Sequence, residues 1–478
     1  MSVTDAPQMI AAPQDTSTPT FPREARCGLL LFAPKPHTIA ETIRARTERI
    51  RPTVMTAPTM MRNCSIPGSP VPFGSISITG VLLKLTNARD GGLASQVHHR
   101  PLDTLCWMEN PDRAPLTERS DGFNYGYAMN CACGEVSVLS AEDYFAEADG
   151  AHMKCSHCGA NIHFGIAVAA LRDRNDPALN DEAVARFAWY HTSTEADWPS
   201  TDYARRFIEE MEQADHRPMN RDHYVSFHTT KALHLGTYET AIENMLRRMH
   251  DEHDGGEQFY LYRVAIRILP GRINSGYRDE NHDDAAQLTI AELDRDDLDA
   301  VRYLNVHEGT GVLSLAVRPN VIASVQRTAL PLHEIALPPV PPLLDRDIET
   351  LAQARDEMEQ AQAKIESIPH SRRRMMYFGV YDDPDGLAKK AGDLEHRYIE
   401  LWNQLEDRLA ESYLPGVSKS IRRDFNEAMA SWKSANPTVD ADGFVARYRT
   451  MAALLERSPE VISHVAAQPS RSLLSPRP

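Results

Sequence analysis

A chain of 478 residues, 42% hydrophobic and 25% charged, is long enough for two or three domains that each bury a core. Its formal charge of −16 argues against a general binder of nucleic acid or of anionic membrane, both of which favour basic proteins. No apolar run reaches bilayer length, and the N-terminus lacks the parts of a secretory leader, so a cytoplasmic protein with reduced thiols is expected.

Residues 1–25, rich in Pro, Thr, Gln and Ala, read as disordered. The region 26–120 carries a short helix in "TIAETIRARTERIR", closed by Pro52, and strands in "FGSISITGVLLKLTNA". No chemistry is visible there. Residues 121–170 then hold two thiol pairs, Cys131-x-Cys133 and Cys155-x-x-Cys158, each followed directly by a glycine, Gly134 or Gly159. Glycine accepts a positive backbone angle, which lets amides turn toward the sulfurs. Four thiolates complete a tetrahedral zinc shell and leave no place for water, so a structural zinc ribbon is expected. Two disulfides are the alternative, and they need an oxidising compartment. The C-x-C pair is tighter than usual, which leaves His152, His157 or His163 as a replacement for one sulfur. Cys27, Cys64 and Cys106 are scattered and read as buried or incidental.

From 185 to 335 the rhythm becomes that of an α+β domain. "RFAWYHTST" reads as an aromatic strand, "TDYARRFIEEMEQA" as a helix and "ALHLGT" as a second strand. Thr237 caps the helix "YETAIENMLRRMHDE". "QFYLYRVAIRIL", "GVLSLAVRP" and "VIASVQRT" read as further strands. The acidic run "YRDENHDDAAQLTIAELDRDDLDA" lacks the ligand spacing of a calcium loop and reads as solvated loop and helix. A Pro-rich linker follows at 336–344. Residues 345–460 read as a helical hairpin or bundle, with Leu351, Met358 and Ile365 on one stripe and Leu394, Tyr398, Leu401, Leu405 and Leu409 on another. Such stripes serve core packing or a protein partner. Residues 461–478 read as a disordered tail.

Three polar clusters stand at strand ends in the α+β domain. They are His191, Thr192 and Ser193; then His228, His234, Gly236, Thr237 and Tyr238; then Arg302, Tyr303, Asn305 and Glu308, with Gly309 and Gly311. An imidazole and hydroxyls beside a glycine turn can cradle a ribose, and a carboxylate can stabilise an oxocarbenium-like centre. The order Tyr-His-Thr-Ser-Thr, then His-Leu-Gly-Thr before a helix, then "YLYRVAI", resembles the ADP-ribosyltransferase-like fold over roughly 145 residues. That resemblance implies NAD as co-substrate and an ADP-ribose acceptor that the sequence does not identify. It implies His191 as the ribose-holding histidine, with Thr192, Ser193, His234, Gly236 and Tyr238 around the cofactor, and Glu308 as the catalytic glutamate. Thr192 departs from the family, which carries glycine there, and the family's second-strand tyrosine has no clear match; His234 or Tyr238 can take that place.

Two function classes follow. One is ADP-ribosyl transfer or NAD glycohydrolysis with an appended structural zinc ribbon. The other is a non-enzymatic interaction or assembly protein that uses the ribbon and the helices as binding surfaces. A nucleic-acid contact by the ribbon has only Lys154 and the "SRRRMM" cluster to support it against the net acidity.

Overall fold

The computed structural model describes residues 115–473, apart from 149–151, 164–167, 201, 214–220, 253, 283–284, 336–337, 339, 378–382 and 384–385. The expectations for 1–25 and for 26–114 lie outside the described residues.

Short strands come first, because the chain turns back at each thiol pair. Antiparallel β1 (Tyr127–Asn130) and β2 (Val136–Leu139) flank the first pair. Helix α1 (Ala141–Ala148) starts at Ser140, whose Oγ accepts from the Asp143 amide at 3.0 Å. The second hairpin, β3 (His152–Lys154) and β4 (Asn161–His163), brackets the second pair. Strand β5 (Val168–Ala169) then returns to the free side of β1.

After the short α2 (Asp181–Val184), β6 (Trp189–Ser193) opens the α+β region, followed by α3 (Tyr203–Gln213), α4 (Arg221–Thr229) and β7 (Leu233–Leu235). Helix α5 (Tyr238–Asp251) is capped by Thr237, whose side chain accepts from the Thr240 amide. Then come β8 (Tyr260–Ile266), β9 (Arg278–Asp279) and α6 (Ile290–Arg295), with a Thr289/Glu292 capping box. Strands β10 (Ala300–Leu304), β11 (Leu313–Val317) and β12 (Ile322–Ala329) complete the region. The last three residues of the 336–344 stretch already form the first turn of α7 (Pro342–Glu366), and α8 (His370–Tyr377), α9 (Leu387–Tyr413), α10 (Lys419–Ala435), α11 (Ala441–Glu456), α12 (Ser458–Ala466) and β13 (Arg471–Ser472) follow.

Two four-stranded sheets result, in the orders β13-β12-β8-β6 and β7-β11-β10-β9. Side chains alternate across a strand, so each sheet feeds two cores. Trp189, Tyr262 and Val264 of the first sheet meet Leu235, Leu313 and Leu315 of the second. On the opposite face of the first sheet, Tyr190 and Leu261 join a core with Ile242 and Met245 of α5. That core continues into the ribbon at Met129 and Met153 and into the C-terminal helices at Phe425 and Phe444.

Helices α7 and α9 run antiparallel, with Arg408 paired to Asp347 at one end and Arg397 to Glu357 at 3.4 Å toward the other. Leu351, Ile365, Leu405 and Leu409 are buried between neighbours, whereas Met358, Leu394, Tyr398 and Leu401 are only half-buried. These helices do not hang from the linker as a separate body. The Tyr238 hydroxyl donates to the Leu454 carbonyl at 2.7 Å, and the Ser431 hydroxyl to the Met249 carbonyl at 2.6 Å.

The tail corrects the sequence expectation of disorder from 461. Val461 and Val465 of α12 are buried, and β13 pairs with the edge of β12 at Ser324 and Val325. Apolar residues at helical spacing and an open strand edge supply the order that a Ser/Pro-rich composition hides. Residues 474–478 lie outside the described residues.

Candidate metal centre and strand-end cleft

The two hairpins bring Cys131, Cys133, Cys155 and Cys158 together, with all four Sγ atoms within 4.8 Å of one another. Cys131 and Cys158 stand 3.7 Å apart at sulfur, and Cys133 and Cys155 3.8 Å. A tetrahedral ion with metal–sulfur bonds of about 2.3 Å needs sulfur–sulfur edges of about 3.8 Å, and these two edges match it, so the shell is compatible with zinc. Gly134 and Gly159 have φ of 89° and 72°, and their amides donate back to the Cys131 and Cys155 carbonyls. The turns thereby aim further amides at sulfur, such as that of His157 at 3.4 Å from Cys155 Sγ. The Cys155 thiol is drawn down to about 5, first by the Ser137 hydroxyl and then by the Cys158 and His157 amides. Cys133, despite the Glu135 amide, is pushed up to about 12 by the neighbouring thiols. So many thiolates cannot share one site without a cation to balance them. His152 and His163 face each other edge to face at 4.4 Å, and the four sulfurs form a complete shell without either.

The strand-end residues divide into two kinds. His191 shares a strand face with Trp189, toward the space between the sheets, and its ring stacks on Trp198 at 4.1 Å. Its Nδ1 lies 3.0 Å from the His234 carbonyl. A carbonyl only accepts, so Nδ1 carries the proton and Nε2 keeps its lone pair. Burial pushes the imidazole down to about 3, which keeps it neutral throughout the physiological range. The His234 ring is on the outer face of the second sheet, with Nδ1 3.1 Å from the Tyr303 hydroxyl. Glu308, on the β10–β11 loop, accepts from Arg247 Nε at 2.7 Å and from Asn244 Nδ2 at 3.1 Å, both on α5. Among the described residues no hydrogen bond or ion pair joins His191 to Glu308. What they share is α5, which Glu308 contacts directly and His191 through its neighbour Thr192.

The remaining four positions are spent inside the fold. Thr192 donates to the Ala241 carbonyl at 2.8 Å, and Ser193 Oγ accepts from the Glu195 amide at 3.0 Å. Gly236 pairs through its backbone with Tyr190, and Tyr238 is wholly buried with its hydroxyl on Leu454.

Beside Glu308 lies a cavity of about 210 Å³, lined in part by Glu243, Arg247, His307, Asp424 and Glu427. Glu243 was not distinguishable in sequence from the solvated positions of an amphipathic helix. In the fold its carboxyl accepts from the Tyr125 hydroxyl at 2.8 Å and from the Gly309 amide at 2.8 Å. Burial pushes it up to about 8, so it keeps its proton at neutral pH. Trp198, which fixes the His191 ring, carried no periodic signal either.

No protein-family model, curated protein or solved structure matches this chain. Mixed α+β architecture and four cysteines placed to hold a metal ion are therefore what the molecule itself shows. No helix among the described residues is long and apolar enough to cross a membrane.

Proposed function

We propose that the protein cleaves the nicotinamide–ribose bond of NAD, as an ADP-ribosyl transferase or a glycohydrolase, and that its ribbon holds one structural zinc. The observation that carries the enzymatic part is the state of His191. It is a neutral imidazole in the middle of β6, facing the space between two sheets, with Nδ1 committed to a carbonyl. Nε2 is then an acceptor suited to a ribose hydroxyl. Glu308, paired with Arg247 at 2.7 Å, is the carboxyl group assigned to steady a developing ribosyl cation. In the zinc site Cys131, Cys133, Cys155 and Cys158 are the ligands, and the closed shell gives the ion a structural role.

The test is incubation of purified protein with NAD and measurement of free nicotinamide. Glu308→Gln keeps the shape and should slow release by about a hundred- to a thousandfold. His191→Ala should weaken NAD binding as well. If wild type and Glu308→Gln release nicotinamide equally fast, the glutamate has no catalytic role. The second reading, a non-enzymatic interaction protein, draws on Thr192, Gly236 and Tyr238, whose polar groups are committed to packing. It takes over if the wild type neither binds nor cleaves NAD.

A further inference from the structure

The loop that carries Glu308 is gripped by both ends of the ribbon. On one side the Tyr125 hydroxyl and the Gly309 amide both bond to the Glu243 carboxyl, at 2.8 Å each, so Tyr125 is one side chain away from the loop backbone. On the other side the Arg172 amide donates to the Gly311 carbonyl at 2.8 Å, and Arg172 Nη2 reaches the Gly309 carbonyl at 3.3 Å. The two arms touch, since the Arg172 guanidinium lies 4.0 Å over the Tyr125 ring. Contact at Gly311 leaves no slack. A Cβ there would meet Arg172 Cγ at 2.7 Å and the Ala170 carbonyl at 2.9 Å.

We infer that Tyr125 and Arg172 are positioning residues that make the placement of the Glu308 loop depend on the metal in the ribbon. Tyr125 stands just before β1 and Arg172 just after β5. Those strands pair at only two positions, Met129 with Ala169 and Asn130 with Val168, and Cys131 follows directly on the end of β1. Around the thiol pairs themselves only Met129, Met153, Ile162 and the buried ligands Cys131 and Cys155 join the core, the larger Phe123, Tyr125 and Tyr127 lying before them on the α5 side. The two thiol-bearing hairpins bury few side chains of their own, so the ion is what fixes them against the rest of that shared core. Without the ion the end of β1 frays where β5 pairs, and the Arg172 arm loses its anchor. Tyr127 stays pinned to the Ser420 hydroxyl at 3.1 Å, so the Tyr125 arm is released less. The consequence for catalysis rests on the NAD reading; the clamp itself does not.

The experiment is hydrogen exchange of the 305–312 peptide in the full-length, zinc-loaded protein without NAD, repeated after chelation and after zinc is restored. Loss of one clamp hydrogen bond should speed exchange of the loop amides roughly five- to tenfold, and added zinc should reverse it. With zinc retained by elemental analysis, Tyr125→Phe and Arg172→Ala should each speed the same peptide, and Arg172→Lys should recover part of the protection. Tyr125→Phe combined with chelation should exceed chelation alone by less than the sum of the two effects, because both act on one clamp. Exchange that rises only in the ribbon's own peptides, or effects that add in full, would overturn the inference. A wild type that leaves NAD intact removes the NAD reading and leaves the exchange result standing.

Discussion

Glu243 and His191 each hold a neutral form that the unfolded chain would give up at a different pH. For Glu243 the folded value of about 8 stands above the ordinary glutamate value of 4.5. Between those limits the folded state keeps a proton that the unfolded state has released, so its contribution to stability falls as pH rises through that window. His191 is the reverse case, about 3 folded against 6.5, and its contribution falls as pH drops from 6.5 toward 3. Glu243→Gln preserves both hydrogen bonds with a neutral group. It should flatten the stability–pH curve between 4.5 and 8 and gain on the order of a few kcal/mol over wild type at pH 8. Denaturant titrations across that range check it, and an unchanged slope would show that the carboxyl is not held neutral. His191→Gln should act only on the acidic limb. At this scale the four cysteines were legible, because residue type and spacing alone dictate their chemistry. Glu243 was not, since a helical pattern marks a position as polar without saying what closes over it. The roles of Thr192 and Tyr238 also depended on neighbours, Ala241 and Leu454, that no local pattern brings near.

Elements were most readable where one period ran unbroken. The alternation in "YLYRVAI" gives β8, and the Thr237 cap before an amphipathic run gives α5. Strand β10 was hidden because Arg302 lies inside it. That arginine is wholly buried, its guanidinium paired with Asp181 and bonded to the Ala178 and Asn274 carbonyls, an arrangement that hydropathy reads as surface. The α9 stripe was visible in sequence, but its depth was not. Leu405 is fully buried, while Leu401, one turn earlier, is half-exposed. Leu405→Asp therefore places an unpaired charge in the core and should cost about 3–5 kcal/mol. Leu401→Asp should cost distinctly less. Equal losses for the two in chemical denaturation would show that the seam is packed differently from the structure.

At the scale of the whole molecule, one core runs from the ribbon past α5 to α11, and the Pro-rich stretch at 336–344 does not interrupt it. Helix α10 is seated on α5 and on the turn that follows it, where a Cβ on Gly255 would come within 2.8 Å of the Ser431 backbone. Phe425, Met429 and Phe444 are buried in that shared core. A fragment of residues 340–460 would lose the α5 side of this packing and expose those side chains to water. Burying a large apolar side chain is worth about 1.5–3 kcal/mol, so losing several such contacts removes a stability of the size a domain has in total. The fragment should therefore be helical but without a cooperative melt, while the full chain unfolds its ribbon and C-terminal helices in one transition. Circular dichroism of the two, with zinc release followed in the full chain, tests this. A fragment that melts as sharply as the full chain would mean that the linker divides two independent folding units after all.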